Sequence, residues 1–456
     1  MIEHDKQIQI IKEKLMAAKR ADGNLKVFGA SRHQYHLNQP VSEKEVLAFE
    51  KKYDVQLPLC YKAFLTEVGN GGNSFAHSAA GPFYGIYPLG ENVDELIYEN
   101  TEKYLKQDCV LYPKMTQSYW KELTRQVEEN EAISDEDFEK ELGKIYGGIL
   151  PIGSQGCTYI HGIVLNGPYK GRIVNLDIDR QKPHFAFENN FLDWYERWLD
   201  EVISGELIRD SPSWFGYVKG GSEEKLLAAY VSSKDADNKQ DNLAGLLNKP
   251  VLKDGTLDQI EEWINEDREN KITFLQMLCK SSYERAKPYL LALVDTDLRS
   301  VFQVIHGYAK EKSHEWLPMI ERSIHRVSDM ETFRFCTYIL YNTDVDYGAM
   351  LLPFTQSANE KIRSHAFYSI GRLPNKKRYL PAFIEGLNDS SNQVIHSTLQ
   401  ALSGVKDDRL LEHFKKIAEK FPVEQDYILS NLNHRLAEYG LDNQSILKRD
   451  AQTDTT

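Results

Sequence analysis

The hydrophobic period of this sequence changes along the chain, and the change sets two kinds of fold side by side. Between residues 149 and 178 apolar positions alternate with a period of two. Tyr159, Ile163 and Leu165 fall on one face of a strand, Ile160 and Val164 on the other, and Val174, Leu176 and Ile178 line the strand that returns after Asn166-Gly167-Pro168. Apolar residues on both faces predict a hairpin covered by helices on each side. The neighbouring Gly153-Ser154-Gln155-Gly156 run reads as a turn. After about residue 250 the alternation stops and apolar residues recur at helical spacing. Residues 361–370 overlay residues 393–402 at an offset of 32, matching Ile362 with Val394, Phe367 with Leu399 and Ile370 with Leu402. A second helix follows each, at Tyr379–Phe383 and Leu410–Phe414, and looser copies lie at Trp316–Ile320 and Met350–Phe354. Paired helices of this length cannot bury their apolar faces singly, so they are expected to stack as an all-α HEAT-like solenoid.

Several helices ahead of the strands carry their own start and stop signals. Ser42 and Glu45 form a capping box, after which Val46, Phe49 and Tyr53 share one face. Pro58 opens the next helix, Tyr61, Phe64, Leu65 and Val68 form its stripe, and Gly69 is expected to supply the left-handed exit. Phe191, Trp194, Tyr195, Trp198, Leu199 and Val202 mark a strongly amphipathic helix ending near Gly205. These signals divide the 456 residues into a helical lead-in over 1–35, an α+β domain over 36–205, and a linker with a connecting helix over 206–249. An α-solenoid over 250–445 and a polar tail over 446–456 complete the expectation.

Charge and composition exclude several function classes. The net charge of −13 lacks the basic footprint that nucleic acid requires. Residues 91–142 hold 15 acids against 6 bases, which predicts a solvated acidic surface or a docking face for a basic partner. Apolar runs reach only about six residues, far from the ~18 of a membrane span. The opening Met1–Lys6 mixes both charges ahead of a polar helix, unlike a secretory leader, so a cytoplasmic protein is expected. Five cysteines with no CxxC pair are expected to be reduced thiols.

No catalytic constellation stands out in the sequence. His314-Glu315 does not extend to HExxH, and neither Gly69–Gly72 nor Gly143-Lys144 completes a phosphate loop. Cys157 and His161 lie four apart in a predicted strand, about 13 Å along it, too far for a nucleophile and its base. Ser154 lacks the nucleophile-elbow spacing. His365 and His396 recur at near-equivalent repeat positions without a second ligand. The expectation is therefore no catalytic residue, no metal site and no cofactor.

The series Val41–Pro58, Phe64-Leu65, Gly69–Gly72, Gly81–Leu89, Leu150–Gly153, Gly171–Asp177 and Phe191–Trp194 resembles the SUKH superfamily, over about 165 residues in matching order. That family includes bacterial immunity proteins and fungal cell-wall assembly regulators. The resemblance implies a mixed sheet packed by helices and used as a binding module. It implies an immunity protein that occludes a cognate protein toxin, with a basic nuclease as one such partner, or else an intracellular scaffold that binds through the helical repeats. Asp94, Glu95, Glu99, Asp177 and Asp179 are the expected steering carboxylates, the last two on one strand face. Tyr84 and Tyr87 are the expected aromatic anchors.

Overall fold

A computed structural model describes residues 4–72, 74, 77–209, 214–421 and 426–448. The chain forms two compact units, residues 1–258 and 259–456. The expected tail over 446–456 lies outside the described residues beyond position 448.

The first unit is built on five strands, β1 (Gly85–Ile86), β2 (Ile149–Gly156), β3 (Tyr159–Val164), β4 (Ile173–Asp177) and β5 (His184–Phe185), in spatial order β1-β2-β3-β4-β5. All four pairings are antiparallel, so the sheet carries no parallel pair and is not mixed. For the three pairings from β2 to β5 the reason is local, since these strands follow one another through connections too short for a parallel crossover. The expected hairpin is present, with Ile160 opposite Leu176 and Ile163 opposite Ile173. The Gly153–Gly156 run, expected as a turn, instead continues β2. There Gly153 lets β1 approach, since a Cβ would sit 2.4 Å from the Gly85 carbonyl oxygen. The tight turn falls one step later, at Cys157, whose φ of 51° is left-handed.

Both sheet faces are covered. On one, Leu150, Ile152, Ile163 and Ile173 pack with helices α1 (Asp5–Ala21), α2 (Glu43–Tyr53), α3 (Leu59–Glu67) and α6 (Phe191–Ile203), around the fully buried Trp194, Tyr195 and Trp198. On the other, Ile149, Ile160, Val164, Val174 and Leu176 meet Trp120, Leu142, Ile145 and Tyr146 of α4 (Gln117–Glu129) and α5 (Asp135–Tyr146). The acidic 91–142 stretch is thus largely this second layer: its apolar stripe closes the sheet and most of its acids point outward.

The Ser42–Glu45 capping box forms as expected, with Glu45 N donating to Ser42 Oγ at 3.3 Å and Ser42 N to Glu45 Oε2 at 2.8 Å. Gly69 does not supply the left-handed exit from α3. That conformation belongs to Gly71 (φ 54°), while Gly69 admits Leu37 and Asn38, whose Cβ and carbonyl oxygen would lie 2.7 and 2.8 Å from an added Cβ. Helix α1 docks on α6, where Gln7 Nε2 donates to Asp193 and Glu196 and Lys14 pairs with Glu196.

Residues 206–249, expected as a linker with a connecting helix, fall within the first unit, which runs to residue 258. They include α7 (Glu223–Ser232) and α8 (Ala236–Asn248). The segment before α7 is clamped by Arg197, which donates to the Val218 carbonyl at 3.0 Å, pairs with Glu188 and Glu201 at 2.8 and 2.6 Å, and lies over the Phe215 ring. Lys249 pairs with Glu206 at 2.7 Å. Beside these ion pairs, α7 and α8 bury Leu226, Leu227, Tyr230, Leu243 and Leu246, so apolar packing holds the segment as well.

The second unit is helical throughout its described residues. Its successive first helices, α9 (Lys271–Ser281), α11 (Leu298–Tyr308), α13 (Met330–Tyr341), α14 (Glu360–Ile370), α16 (Asn392–Ala401) and α18 (Asp426–Ala437), each pack on the next. The second helices are α10 (Tyr283–Leu293), α12 (Leu317–Ser323), α15 (Leu380–Leu387) and α17 (Arg409–Lys420). Between α13 and α14 that position holds only the short helix Gly348–Leu351 and a 3₁₀ turn at Leu352–Gln356. Pro318, Pro353 and Pro381 stand in the first turns of these segments, where a missing N–H costs nothing. The offset of 32 holds in three dimensions: Ile362, Phe367, Ile370, Val394, Leu399 and Leu402 are all buried, and Ser364 Oγ meets Ser397 Oγ at 2.7 Å. Among the described residues no helix is long and apolar enough to cross a membrane, and no group of three or more His, Cys, Asp or Glu side chains could hold a metal ion.

Candidate functional site: a cleft at the edge of the sheet and an acidic outer face

At the β3–β4 end of the sheet a cleft of about 650 Å³ opens to solvent. Its floor is a polar patch on an otherwise apolar sheet face. Gln155 Nε2 donates to Asn175 Oδ1 at 2.9 Å, and Asn175 Nδ2 donates to the Gly216 carbonyl at 3.3 Å. Tyr217 Oη donates to Gln155 Oε1 at 2.9 Å. Behind them the fully buried His161 places Nδ1 3.0 Å from Asn175 Oδ1, with its ring 5.0 Å from that of Trp194. Burial lowers His161 to about 4 despite the Asn175 contact, so this imidazole is neutral at pH 7 and the floor carries no charge from it. Gly216 has φ 80°, and a Cβ there would meet Asn175 Nδ2 at 3.3 Å, so a side chain would be strained and crowded against the floor.

The walls are aromatic, formed by Phe83, Tyr159, Trp214 and Tyr217, and Trp214 stands 64% exposed at the mouth. One carboxylate faces the cleft. Asp177 is 3% exposed, lies directly across the ladder from Tyr159, and accepts the Asp179 amide on Oδ1 at 3.1 Å. No cation pairs with Asp177 among the described residues. Lys182 lines the same cleft but donates to the Met115 carbonyl, and Arg180 is held by Glu128.

The sequence-predicted residues distribute unevenly. Asp94 and Glu99 are exposed, joined on the outer surface of α4, α5 and their lead-in by exposed Glu129, Glu131 and Glu136. Glu95 is not a steering charge of the same kind. It is half-buried, Oε1 accepts the Tyr87 hydroxyl at 3.3 Å, and Oε2 is buried without a partner. Burial, with Asp94 adding to it and Tyr87 opposing, raises Glu95 to about 7. Tyr87 is 1% exposed and has no surface to offer a partner, because β1 turns it under the sheet edge to meet Glu95. Tyr84 is half-buried beside Phe28, with ring centroids 5.3 Å apart. Asp177 and Asp179 do not share a strand face. β4 ends at Asp177, which caps the following turn, and Asp179 projects from that turn into solvent.

Sequence reasoning missed Gln155, Asn175, Trp214 and Tyr217. Two signals were there to be read: amides interrupting apolar strands, and the cluster Trp214-Phe215-Gly216-Tyr217 inside a segment otherwise rich in turn residues.

No curated protein and no solved structure matches the chain. One family model does, over about a third of the length. Its match covers the sheet, α2 to α5, the first half of α6 and the Gln155, His161 and Asn175 part of the cleft floor, and stops before Trp214 and Tyr217. Residues 40–197 match the SMI1 / KNR4 family (SUKH-1), and the chain therefore carries a SUKH-1 domain in its first unit.

Proposed function

We propose that this chain is a cytoplasmic immunity protein that binds a cognate bacterial protein toxin and neutralises it by occlusion. The observation that carries the reading is the outward acidic layer, built from a hairpin whose inner side closes the SUKH-1 sheet. Exposed Asp94, Glu99, Glu129, Glu131 and Glu136 lie on it, and residues 91–142 carry 15 acids to 6 bases. Such a face raises the on-rate for a basic protein and selects among partners. Enzymes that cleave nucleic acid are basic where they hold phosphate, so an acidic cover over that surface blocks substrate. The role asks for no catalytic residue, metal or cofactor in this chain.

Co-expression with the protein encoded beside it tests the reading. Survival with a toxic neighbour and a co-purifying complex are the expected results. Replacing those five acids with their amides is expected to slow association more than tenfold at low salt and to flatten its salt dependence. A harmless neighbour that forms no complex overturns the reading.

A second reading, an intracellular scaffold, rests on the helical unit. There His306 of α11, Phe335 and Tyr338 of α13, and His365 and Tyr368 of α14 run ring to ring. Centroids are 4.9 Å apart for His306–Tyr338 and 6.2 Å for both Tyr338–His365 and His365–Tyr368. Read as HEAT-like repeats, these helices offer an extended aromatic strip with Tyr368 44% exposed. Tyr338→Ala with Tyr368→Ala in the full chain separates the readings: loss of partner binding with the acidic face intact favours the scaffold.

A further inference from the structure

The cleft has a polarity of its own, set by where its hydrogens point. Tyr217 spends its only hydroxyl hydrogen on Gln155, Gln155 turns its amide to Asn175, and Asn175 turns its amide to the Gly216 carbonyl. These three donors are each spent on a neighbour within the floor, and Lys182 of the lining donates to the Met115 carbonyl. The Tyr217 oxygen retains lone-pair capacity, and the Asp177 carboxylate keeps acceptor capacity beyond the one bond from Asp179. A floor whose donors are already spent, beside one buried carboxylate unpaired by any cation among the described residues, favours a ligand that donates.

The walls narrow the choice. Phe83, Tyr159, Trp214 and Tyr217 present aromatic surface, and Trp214 stands edge to face with Tyr217, ring centroids 6.2 Å apart and planes at 89°. A planar, weakly hydrated cation stacks on such faces and directs several N–H groups along its edge. A compact ammonium does neither as well. The shape and chemistry therefore select guanidinium over amine.

We infer that this cleft binds a guanidinium group, presented as an arginine side chain of the protein partner, with its plane against Trp214 and its N–H edge on Asp177. The inference rests on the proposed protein-binding role and gives it a specificity pocket separate from the acidic outer face. Residues after the matched SUKH-1 segment supply the Trp214 and Tyr217 walls, so the selectivity belongs to this chain rather than to the domain in general.

Trp214 fluorescence of the full chain, titrated with an acetyl-Gly-Arg-Gly-amide peptide, tests it. The citrulline peptide, the lysine peptide and methylguanidinium serve as comparison arms. Saturable binding of the arginine peptide is expected, at least tenfold tighter than the citrulline peptide and tighter than the lysine peptide. Asp177→Asn is expected to weaken it tenfold or more while keeping the Oδ1 acceptor of the turn, and an NMR titration of Trp214→Ala, at an exposed position, should show the same loss. Equal binding of the arginine and citrulline peptides, unchanged affinity in Asp177→Asn, or no saturation overturns the inference. Binding of methylguanidinium without the arginine peptide overturns the peptide source and makes the cleft a small-molecule site. Rescue in co-expression that survives Asp177→Asn sinks the pocket alone; absence of rescue by the native chain sinks the antidote role alone.

Discussion

Glu95 reverses the usual effect of a carboxylate on stability. Its carboxyl titrates near 7 in the fold against an ordinary value of 4.5, because burial disfavours the charged form more than the Tyr87 hydroxyl supports it. Between those two pH values the folded chain holds a proton that the unfolded chain has released. Folding stability from this group is therefore fully present below about 4.5 and is lost as pH rises through about 7. At ~1.4 kcal/mol for each pH step, the gap corresponds to about 3 kcal/mol; solvent reaching the half-buried side chain brings the expected figure to ~1–3 kcal/mol. Glu95→Gln keeps an acceptor for Tyr87 and imitates the neutral acid. It should be nearly neutral at pH 4.5 and stabilise the first unit by ~1–3 kcal/mol at pH 8. Urea unfolding of both proteins at several pH values, followed by tryptophan fluorescence, measures the difference. A difference that is flat between pH 5 and 8, or a variant less stable than the native chain at pH 8, would refute the reasoning.

Three further outcomes follow from the packing. Arg197→Met strands the buried Glu188 and Glu201 carboxylates and releases the Val218 carbonyl, so the first unit should lose ~3–5 kcal/mol in denaturant unfolding. Adding Glu188→Leu and Glu201→Leu to it should restore most of that loss, and a triple variant as unstable as the single one would show that charge pairing is not the cause. Gly371→Val should destabilise the second unit by ~1–3 kcal/mol in thermal unfolding, because its Cβ would fall 2.4 Å from the Ala401 Cβ and 2.5 Å from its Cα and force α14 and α16 apart. Of the five thiols only Cys157 is exposed, whereas burial raises Cys109 to about 11 and Cys279 to about 12 and also raises Cys60 and Cys336. A thiol-labelling time course should therefore show one fast site in the folded chain and all five after denaturation.

What the sequence determined by itself was set by local physics. Period-two alternation placed the β3–β4 hairpin, the capping box placed the start of α2, and the offset of 32 placed α14 over α16, because each needs only neighbours along the chain. The two-sided burial of the strands was equally legible, since it is written in which positions are apolar. The tertiary structure alone decided what depends on partners far away in sequence. Tyr87 reads as an exposed anchor until Glu95 closes over it, and Glu95 reads as a free charge until Tyr87 and burial raise it. Asp177 and Asp179 read as one strand face until β4 ends between them. The cleft was invisible for the same reason. Gln155, Asn175 and Tyr217 lie on two strands and a downstream segment up to 62 residues apart, and hydrogen bonds across such separations leave no periodic trace in the sequence.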